Sequence, residues 1–363
     1  MAQRDLQNKV TVVIPNYNGI AYLRDCLSSL FGGTALPRVI VVDNHSTDGS
    51  AELVEKEFPK VLLHRIRANT GFCHAVNCGL HLVQTKYAIL LNNDTKVDPA
   101  FVEKLVEAIS QSGRLFSVQA KMLLLSDPSR IDDAGDCYSA LGWAFARGKG
   151  QPAEKFDRPG QIFAACAGAA IYRMSVFDEI GWFDERHYCY LEDVDIGYRA
   201  KIYGYQNGYA PKAIVYHAGS AATGSRHNAF KETMTAGNAA YLRWKNQPAL
   251  WYGLNALPAG IGTLIKRRYF RNKNLGEAYD RGITRGRVLI DEAKDQALFQ
   301  DAIGYYRKGS IPDEACIEGN EDALREILPL YLGGKVPFTL RHLHNYLKIQ
   351  GELIGGTFQR LFN

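Results

Sequence analysis

The stretch Ala88-Ile89-Leu90-Leu91-Asn92-Asn93-Asp94 constrains this chain more than any other, because a short apolar run, preceded by Tyr87, stops abruptly in amides and a carboxylate. The run is too short for an ordinary helix, and it predicts a strand buried on both faces. In an open α/β sheet, ligands sit outside the carboxyl ends of the strands, which makes Asp94 a candidate metal or nucleotide contact. The alternative for Asn92 and Asp94 is plain capping of a turn or of the next helix.

The segments before it repeat the pattern. Val10 to Ile14 is a β-branched apolar run broken by Pro15-Asn16-Tyr17-Asn18-Gly19, and Leu23, Cys26, Leu27 and Leu30 then recur at helical spacing. Val39 to Val42 predicts a second buried strand, ending in Asp43-Asn44-His45-Ser46-Thr47-Asp48-Gly49-Ser50, with a helix from about Ser50 to Phe58. Val61 to His64 predicts a third, followed by Asn69-Thr70-Gly71-Phe72 and a helix containing Ala75, Val76 and Leu80. Alternation of this kind implies a mostly parallel sheet with right-handed crossovers, so the polar loops at Asn16, Asp43, Asn69 and Asp94 share one edge. No loop carries the glycine spacing of a dinucleotide fold or a P-loop. Asp43 can accept from a base imide or a ribose hydroxyl, or it can brace its own turn.

Beyond Asp94, a helix is predicted from Asp98-Pro99 to about Ser112, and a strand over Val118 to Leu125. Ser126 to Gly160 shows little period and reads as a long irregular insertion, with a hairpin around Tyr138 to Phe145 covering the site. Phe163 to Tyr172 is small and apolar, so a backbone or ligand can approach closely at Gly168 and Ala169. The cluster Glu192, Asp193 and Asp195 opens a helix, where the macrodipole favours ionised carboxylates. Asp195 and Arg199 stand four apart and pair, while Asp193 points elsewhere and stays free for chemistry. Ala213 to Tyr216 predicts a last strand with His217 at its end, a position suited to a metal ligand.

The net charge of +5 permits an anionic partner without naming one. The 7 cysteines (Cys26, Cys73, Cys78, Cys137, Cys166, Cys189 and Cys316) form no C-x-x-C pair, which suggests free thiols in a reducing compartment and no structural zinc. Met1 to Lys9 is polar and leads straight into the first strand, so a cytoplasmic location is expected.

From Val10 to about His217 the chain resembles the family 2 glycosyltransferases of the GT-A fold, and within them the rhamnosyltransferase-like group of bacterial polysaccharide biosynthesis. The resemblance rests on Val13-Ile14-Pro15-Asn16-Tyr17-Asn18, Val41-Val42-Asp43-Asn44-His45-Ser46-Thr47-Asp48, Asn69-Thr70-Gly71-Phe72, Leu91-Asn92-Asn93-Asp94, Gly181-Trp182-Phe183-Asp184-Glu185, Glu192-Asp193-Val194-Asp195 and Val215-Tyr216-His217. It implies an α/β fold with a Rossmann-like, mostly parallel sheet flanked by helices. A catalytic domain over 1–225 would have a nucleotide-sugar half to about 125 and an acceptor half from about 126. The implied activity is inverting, metal-dependent transfer of a rhamnose-like or other hexose from a nucleoside diphosphate sugar to a lipid-linked or polysaccharide acceptor.

The residues carried over by the resemblance follow. Pro15, Tyr17, Asn18, Asp43, Asn69, Gly71, Asn92 and Asn93 would hold the donor, and Asp94 and His217 would hold a divalent cation, Mn²⁺ or Mg²⁺. Asn92 and Asp94 stand in place of D-x-D, and the neutral Asn92 leaves one charge fewer. Asp193 falls where the family keeps its general base, with Gly168, Ala169, Trp182 and Glu192 toward the acceptor. The chemistry fits the set, since transfer needs a neutralised diphosphate and a carboxylate within reach of the acceptor hydroxyl. A sugar-phosphate nucleotidyltransferase would carry a glycine-rich, arginine-containing N-terminal loop, which Pro15 to Gly19 is not. A non-catalytic nucleotide-binding scaffold is the other alternative, suggested by Asn92.

Residues 226–363 turn basic and helical. Pro248 to Ile265 has no charged residue, and Lys266, Arg267, Arg268 and Arg271 close it. Eighteen uncharged residues reach the lower limit for a membrane span, but Pro248, Asn255, Pro258 and the glycines lower the hydrophobicity. The composition suits an element lying on an anionic leaflet, or a hairpin packed on the catalytic domain. Tyr279 to Ile290 and Phe338 to Phe362 read as further basic or amphipathic helices. The expected setting is therefore peripheral, on the inner face of the cell membrane.

Overall fold

A computed structural model describes residues 3–219, 227–296, 335–336 and 338–362. In chain order its elements begin with β1 (Arg4–Asp5), β2 (Val10–Asn16), α1 (Ile20–Phe31), β3 (Ala35–Leu36), β4 (Arg38–Asp43), α2 (Ser50–Glu57), β5 (Leu62–Arg65) and α3 (Phe72–His81). They continue with β6 (Tyr87–Leu91), β7 (Thr95–Val97), α4 (Phe101–Ser110), β8 (Leu115–Leu124), β9 (Asp127–Asp133), β10 (Asp136–Tyr138), β11 (Ala144–Ala146) and β12 (Gly160–Ile162). Then come β13 (Ala169–Arg173), α5 (Met174–Ile180), α6 (Glu192–Ile202), β14 (Gln206–His217), α7 (Ala229–Asn246), α8 (Ala249–Leu254), α9 (Ala256–Arg271), α10 (Gly276–Gln296) and a last helix, α11 (Leu343–Phe362).

The main sheet has the order β12-β14-β8-β13-β6-β2-β4-β5. Strands β6, β2, β4 and β5 run parallel, as the βα alternation requires, and β14 is parallel to β8. The antiparallel β13 is inserted between β6 and β8, pairing Ala169 with Leu91 and Ala170 with Gln119. Strand β6 is buried at every residue, as its unbroken apolar run predicts. The sheet is covered on both sides, by Leu23, Leu27, Phe101 and Leu105 in one apolar layer and by Val76, Leu80, Phe177 and Phe183 in the other.

The insertion after residue 125 is more regular than its sequence suggests. Asp127–Asp133 forms strand β9 against β8, and β10 and β11 form the expected hairpin, with Asp136 opposite Ala146. The first four residues of β9 are exposed and lack an apolar period, so tertiary pairing and not local pattern makes this strand. The described cysteines are all free thiols, and Cys316 lies outside the described residues. Among the described residues, no helix is long and apolar enough to cross a membrane.

Candidate active site

A cleft of about 580 Å³ opens at the carboxyl ends of β2 and β6 and extends to the start of α6 and the first turns of α7. Its walls include Pro15, Tyr17, Asn69, Gly71, Asn92, Asn93, Asp94, Gly168, Glu192, Asp193 and His217, so most of the sequence-derived site residues meet there.

Backbone pairing explains why Asp94 and His217 converge. Strand β7 begins immediately after Asp94 and pairs antiparallel with β14, setting Thr95 opposite His217. The His217 Nε2 lies 3.1 Å from Asp94 Oδ1, and Nδ1 lies 2.7 Å from Asp132 Oδ2. Lys149 Nζ donates to the other Asp132 oxygen at 2.7 Å. Burial opposes charge on His217, but its hydrogen bonds to Asp132 and Asp94 outweigh it and lift its pKa to about 9. The imidazole is therefore cationic at neutral pH when only protein surrounds it. Asp132 stays below the ordinary carboxylate range because, against its burial, His217 and Lys149 favour the ionised form. Neither Asp132 nor Lys149 could be picked out from the sequence, since both lie in the insertion that has no period.

Asp193 lies on the cleft wall at the start of α6 and accepts from its neighbour's Val194 N–H at 2.7 Å. Burial raises its pKa, and the N–H groups of Val194 and Ala167 pull in the opposite direction. Glu192 and Asp136 are pushed up further, by burial and then by the charge of Asp193. In all three, burial is the largest influence and biases the carboxyl toward its neutral form. Among the described residues, Glu192 Oε2 and Asp136 Oδ2 have no hydrogen-bond partner, which leaves both able to contact a ligand.

Left-handed backbone at Tyr188 (φ 62), Tyr190 (φ 72) and Leu191 (φ 67) leads into Glu192. Such conformations are costly for side-chain-bearing residues and persist only where the surroundings hold them. Here Asn238 of α7 donates to the carbonyls of His187, Cys189 and Tyr190 at 2.9, 2.9 and 2.7 Å. Arg285 of α10 in turn holds Asn238 at 2.6 Å. Helix α7 also brings Phe230, Lys231 and Thr235 to the cleft, residues that the thinning of the motifs after His217 kept out of the sequence-derived set.

Four expected site residues lie off the cleft wall. Asp43 is buried and spends its oxygens on Asn16 Nδ2 (3.0 Å) and the Ser46 N–H (3.1 Å), the turn-bracing alternative. Asn18 accepts from the Thr47 N–H at 2.8 Å and ties two strand-end loops together. Ala169 is fully buried within the sheet. Trp182 stacks on Phe177 at 5.1 Å, inside the second apolar layer. Its loop is clamped by Arg199, which donates to the carbonyls of Ile180, Gly181 and Trp182, so the Gly181-to-Glu185 motif is mainly scaffold. Gly71 needs its glycine: φ is +91, and a Cβ there would run into the Tyr188 ring at 2.5 Å.

The Asp195–Arg199 pair forms at 3.0 Å, but it is part of a larger buried network. Lys245 of α7 bridges Asp184 (2.6 Å) and Asp195 (2.9 Å), and Asn246 donates to the other Asp195 oxygen at 2.7 Å. Asp184, His187 and Asp195 are close enough to share an ion, but the cations already bonded to this cluster make it structural. Asp133, Asp136 and Cys166 are likewise close together, and the latter two lie on the cleft wall.

The profile of the family described as Glycosyl transferase family 2 matches residues 11–181, the segment that supplies every strand of the main sheet but β14 and most of the cleft. This domain belongs to glycosyltransferase family 2. The enzyme is 29% identical over 242 residues, 59% of its own chain and 77% of the other, to the N-acetylglucosaminyl-diphospho-decaprenol L-rhamnosyltransferase of Mycobacterium tuberculosis. It is 33% identical over 108 residues to the glycosyltransferase GlyA of Streptococcus pneumoniae, 29% of its own chain but 15% of that protein. Staphylococcus aureus TarS 1-349, solved in complex with UDP-GlcNAc, superposes with a TM-score of 0.50 at 16% identity, covering 87% of this chain and 92% of that one. The likeness to TarS is one of fold, and the fold is GT-A. Membership of this enzyme family sets aside the nucleotidyltransferase and scaffold alternatives.

Proposed function

We propose that the enzyme transfers a rhamnose-like or other hexose, with inversion at the anomeric carbon, from a nucleoside diphosphate sugar to a lipid-linked or polysaccharide acceptor in bacterial cell-surface glycan synthesis. The observation that carries this reading is the meeting, in one cleft, of the Asp94–His217 pair with the half-buried Asp193 carboxylate. The mycobacterial relative's name specifies a rhamnosyl transfer to a lipid diphosphate, which favours the same reaction class here. The chain divides, in our reading, at about residue 225, with a donor half to 125 and an acceptor half beyond it. Helix α7 then completes the catalytic unit from the C-terminal side.

Asp193 is the general base in this proposal. It takes the proton of the acceptor hydroxyl as that oxygen attacks the anomeric carbon and the bond to the diphosphate breaks. A single displacement on the face opposite the leaving group inverts the centre. Tyr17, Pro15, Asn69 and Gly71 would flank the nucleotide, and Asn92 would offer an amide to the ribose or diphosphate. Asn93 holds Asn16 at 2.7 Å and fixes the strand ends beneath the donor. Glu192 and Gly168 lie on the acceptor side.

An oxygen ligand and an imidazole 3.1 Å apart suit Mn²⁺ or Mg²⁺, so Asp94 and His217 fit the divalent cation expected of the site. When bound, such a cation would neutralise the diphosphate leaving group. Asp132 orients His217 through Nδ1 and leaves Nε2 facing Asp94, as carboxylates behind metal-binding histidines do. Calorimetry with Mn²⁺ in the presence of UDP should register a loss of about 10–100-fold in affinity for Asp132→Leu. Asp94→Ala should lose at least as much. Transfer that continues undiminished in excess chelator would remove the cation from the proposal.

A further inference from the structure

Helices α8, α9 and α11 carry apolar residues on two sides, and among the described residues only one side is covered. Ala259, Gly262 and Phe270 of α9 and Tyr346, Ile349 and Leu353 of α11 are buried. On the outer sides, Leu250, Leu254, Leu257, Ile261, Leu264 and Ile265 are between 45% and 75% exposed, and so are Leu347, Ile354, Phe358 and Leu361. From Leu250 to Leu264 the first set steps by three or four residues across α8 and α9, and the second steps by seven, four and three along α11, so each follows the helical period. A soluble monomer rarely leaves so many large apolar side chains in water, and a contiguous patch marks an interaction surface.

The two stripes belong to one structural unit. Asn255, between α8 and α9, exchanges reciprocal amide hydrogen bonds with Gln350 of α11 at 2.9 and 2.8 Å. Both helices also grip the β10–β11 hairpin, Trp143 Nε1 donating to the Gly262 carbonyl at 3.2 Å and Thr357 Oγ1 accepting from the Ala140 N–H at 3.1 Å. The same hairpin supplies Ala144, Phe145 and Ala146 to the cleft. An apolar surface thus sits directly behind one wall of the active site.

Charge identifies the occupant. The segment from Ala249 to Lys273 contains no Asp or Glu, and α11 contains only Glu352, which Lys201 neutralises at 2.9 Å. Exposed cations border both stripes: Arg268 on α9 and Lys273 just beyond it, with Arg271 3.7 Å from Asp280, and Arg341, Lys348 and Arg360 beside or on α11. The basic quartet read from the sequence is only partly available, since Arg267 holds Asp280 at 2.6 Å and burial lowers the Lys266 pKa to about 8. We infer that α8, α9 and α11 together form a docking surface for an anionic lipid bilayer, with the leucines entering the headgroup boundary and the flanking cations meeting lipid phosphates. A second copy of the chain would bring like-charged rims together and is disfavoured. Resting on the proposed function, this arrangement would bring a lipid-linked acceptor to the hairpin side of the cleft. The docking itself stands independently of catalysis.

The test is co-sedimentation of the full chain with vesicles of phosphatidylcholine and phosphatidylglycerol, read beside pure phosphatidylcholine. The protein should pellet with the anionic vesicles at low salt and be partly released at high salt, because screening shortens the reach of the cations. Arg268→Gln or Lys348→Gln should each weaken partitioning about fivefold. Leu257→Glu with Leu264→Glu, and separately Leu347→Glu with Leu361→Glu, should weaken it at least about tenfold. Their circular dichroism and acceptor-free donor hydrolysis should match the parent, since every altered side chain is already in water. The inference is overturned if the parent stays in the supernatant with anionic vesicles, or if only the α9 pair matters. It is equally overturned if ultracentrifugation finds a dimer that the leucine variants dissolve while vesicle binding is unchanged.

Discussion

Asp193→Asn is expected to lower the transfer rate by about 10²–10⁴-fold while changing nucleoside diphosphate affinity by less than about twofold. The substitution keeps the shape of the side chain and an oxygen to accept from the Val194 N–H, now 2.7 Å away, so α6 keeps its first turn. What disappears is the capacity to take a proton. In the proposed mechanism the base acts on the acceptor and not on the diphosphate, so calorimetry with UDP should separate from turnover. The pH dependence carries the same signature. Burial raises the Asp193 pKa, so the acid limb of the rate should lie above the usual carboxylate range, with activity lost as pH falls through the raised value and the carboxyl becomes protonated. Equal losses of donor affinity and of rate would move the base elsewhere, and Glu192, buried beside it with an unpartnered oxygen, is the next candidate.

How far the sequence reveals this arrangement depends on what forms each part. Strands β2, β4 and β6 are legible because burial on both faces demands unbroken apolar runs, and their polar ends mark the cleft edge. Strand β9 is not, because Asp127, Pro128, Ser129 and Arg130 are exposed, Asp127 being held by pairing with β8 and Arg130 by a bridge to Pro152. Asp132 arrives at His217 along that strand and is hidden for the same reason. The place of β13 between β6 and β8 also escapes a local reading, since small apolar residues say that something approaches closely but not which strand does. Asp43 and Trp182 illustrate the opposite limit. A recurring motif marks both residues, yet the motif serves a braced turn in one case and an aromatic core in the other. The lipid-facing surface is half legible: the α9 stripe stands out as an uncharged run, whereas the α11 stripe is interleaved with buried residues and emerges only when the covered side is known.

Lys245→Met is expected to destabilise the protein by about 3–5 kcal/mol, because it strips a buried cation from two buried carboxylates without removing either. Lys245 is 1% exposed and reaches Asp184 at 2.6 Å and Asp195 at 2.9 Å, with Tyr241 donating to Asp184 at 2.8 Å. For a chain of 363 residues, that loss corresponds to a fall of roughly 4–7 °C in the thermal midpoint at neutral pH. The sign with pH follows from the carboxylates. Burial would raise both pKa values, but Lys245 and the neighbouring arginines hold Asp184 and Asp195 below the ordinary range. In the parent this stabilisation is fully present above the unfolded carboxylate pKa and is lost as pH falls through the depressed folded values. In the variant the same carboxylates have lost the cation they share, keeping Arg199 and Tyr241, and protonate more readily, so the gap between the two midpoints should narrow as pH falls. A gap independent of pH would mean that packing, and not charge, is what Lys245 contributes. Because Asp195 lies one turn into the helix that begins with Glu192 and Asp193, and Lys245 lies on α7, the same variant tests whether the C-terminal helices are needed to hold the base. Turnover of the folded fraction should fall along with stability, and donor affinity, which the proposed function assigns to the distant strand ends at Tyr17 and Asn69, should not.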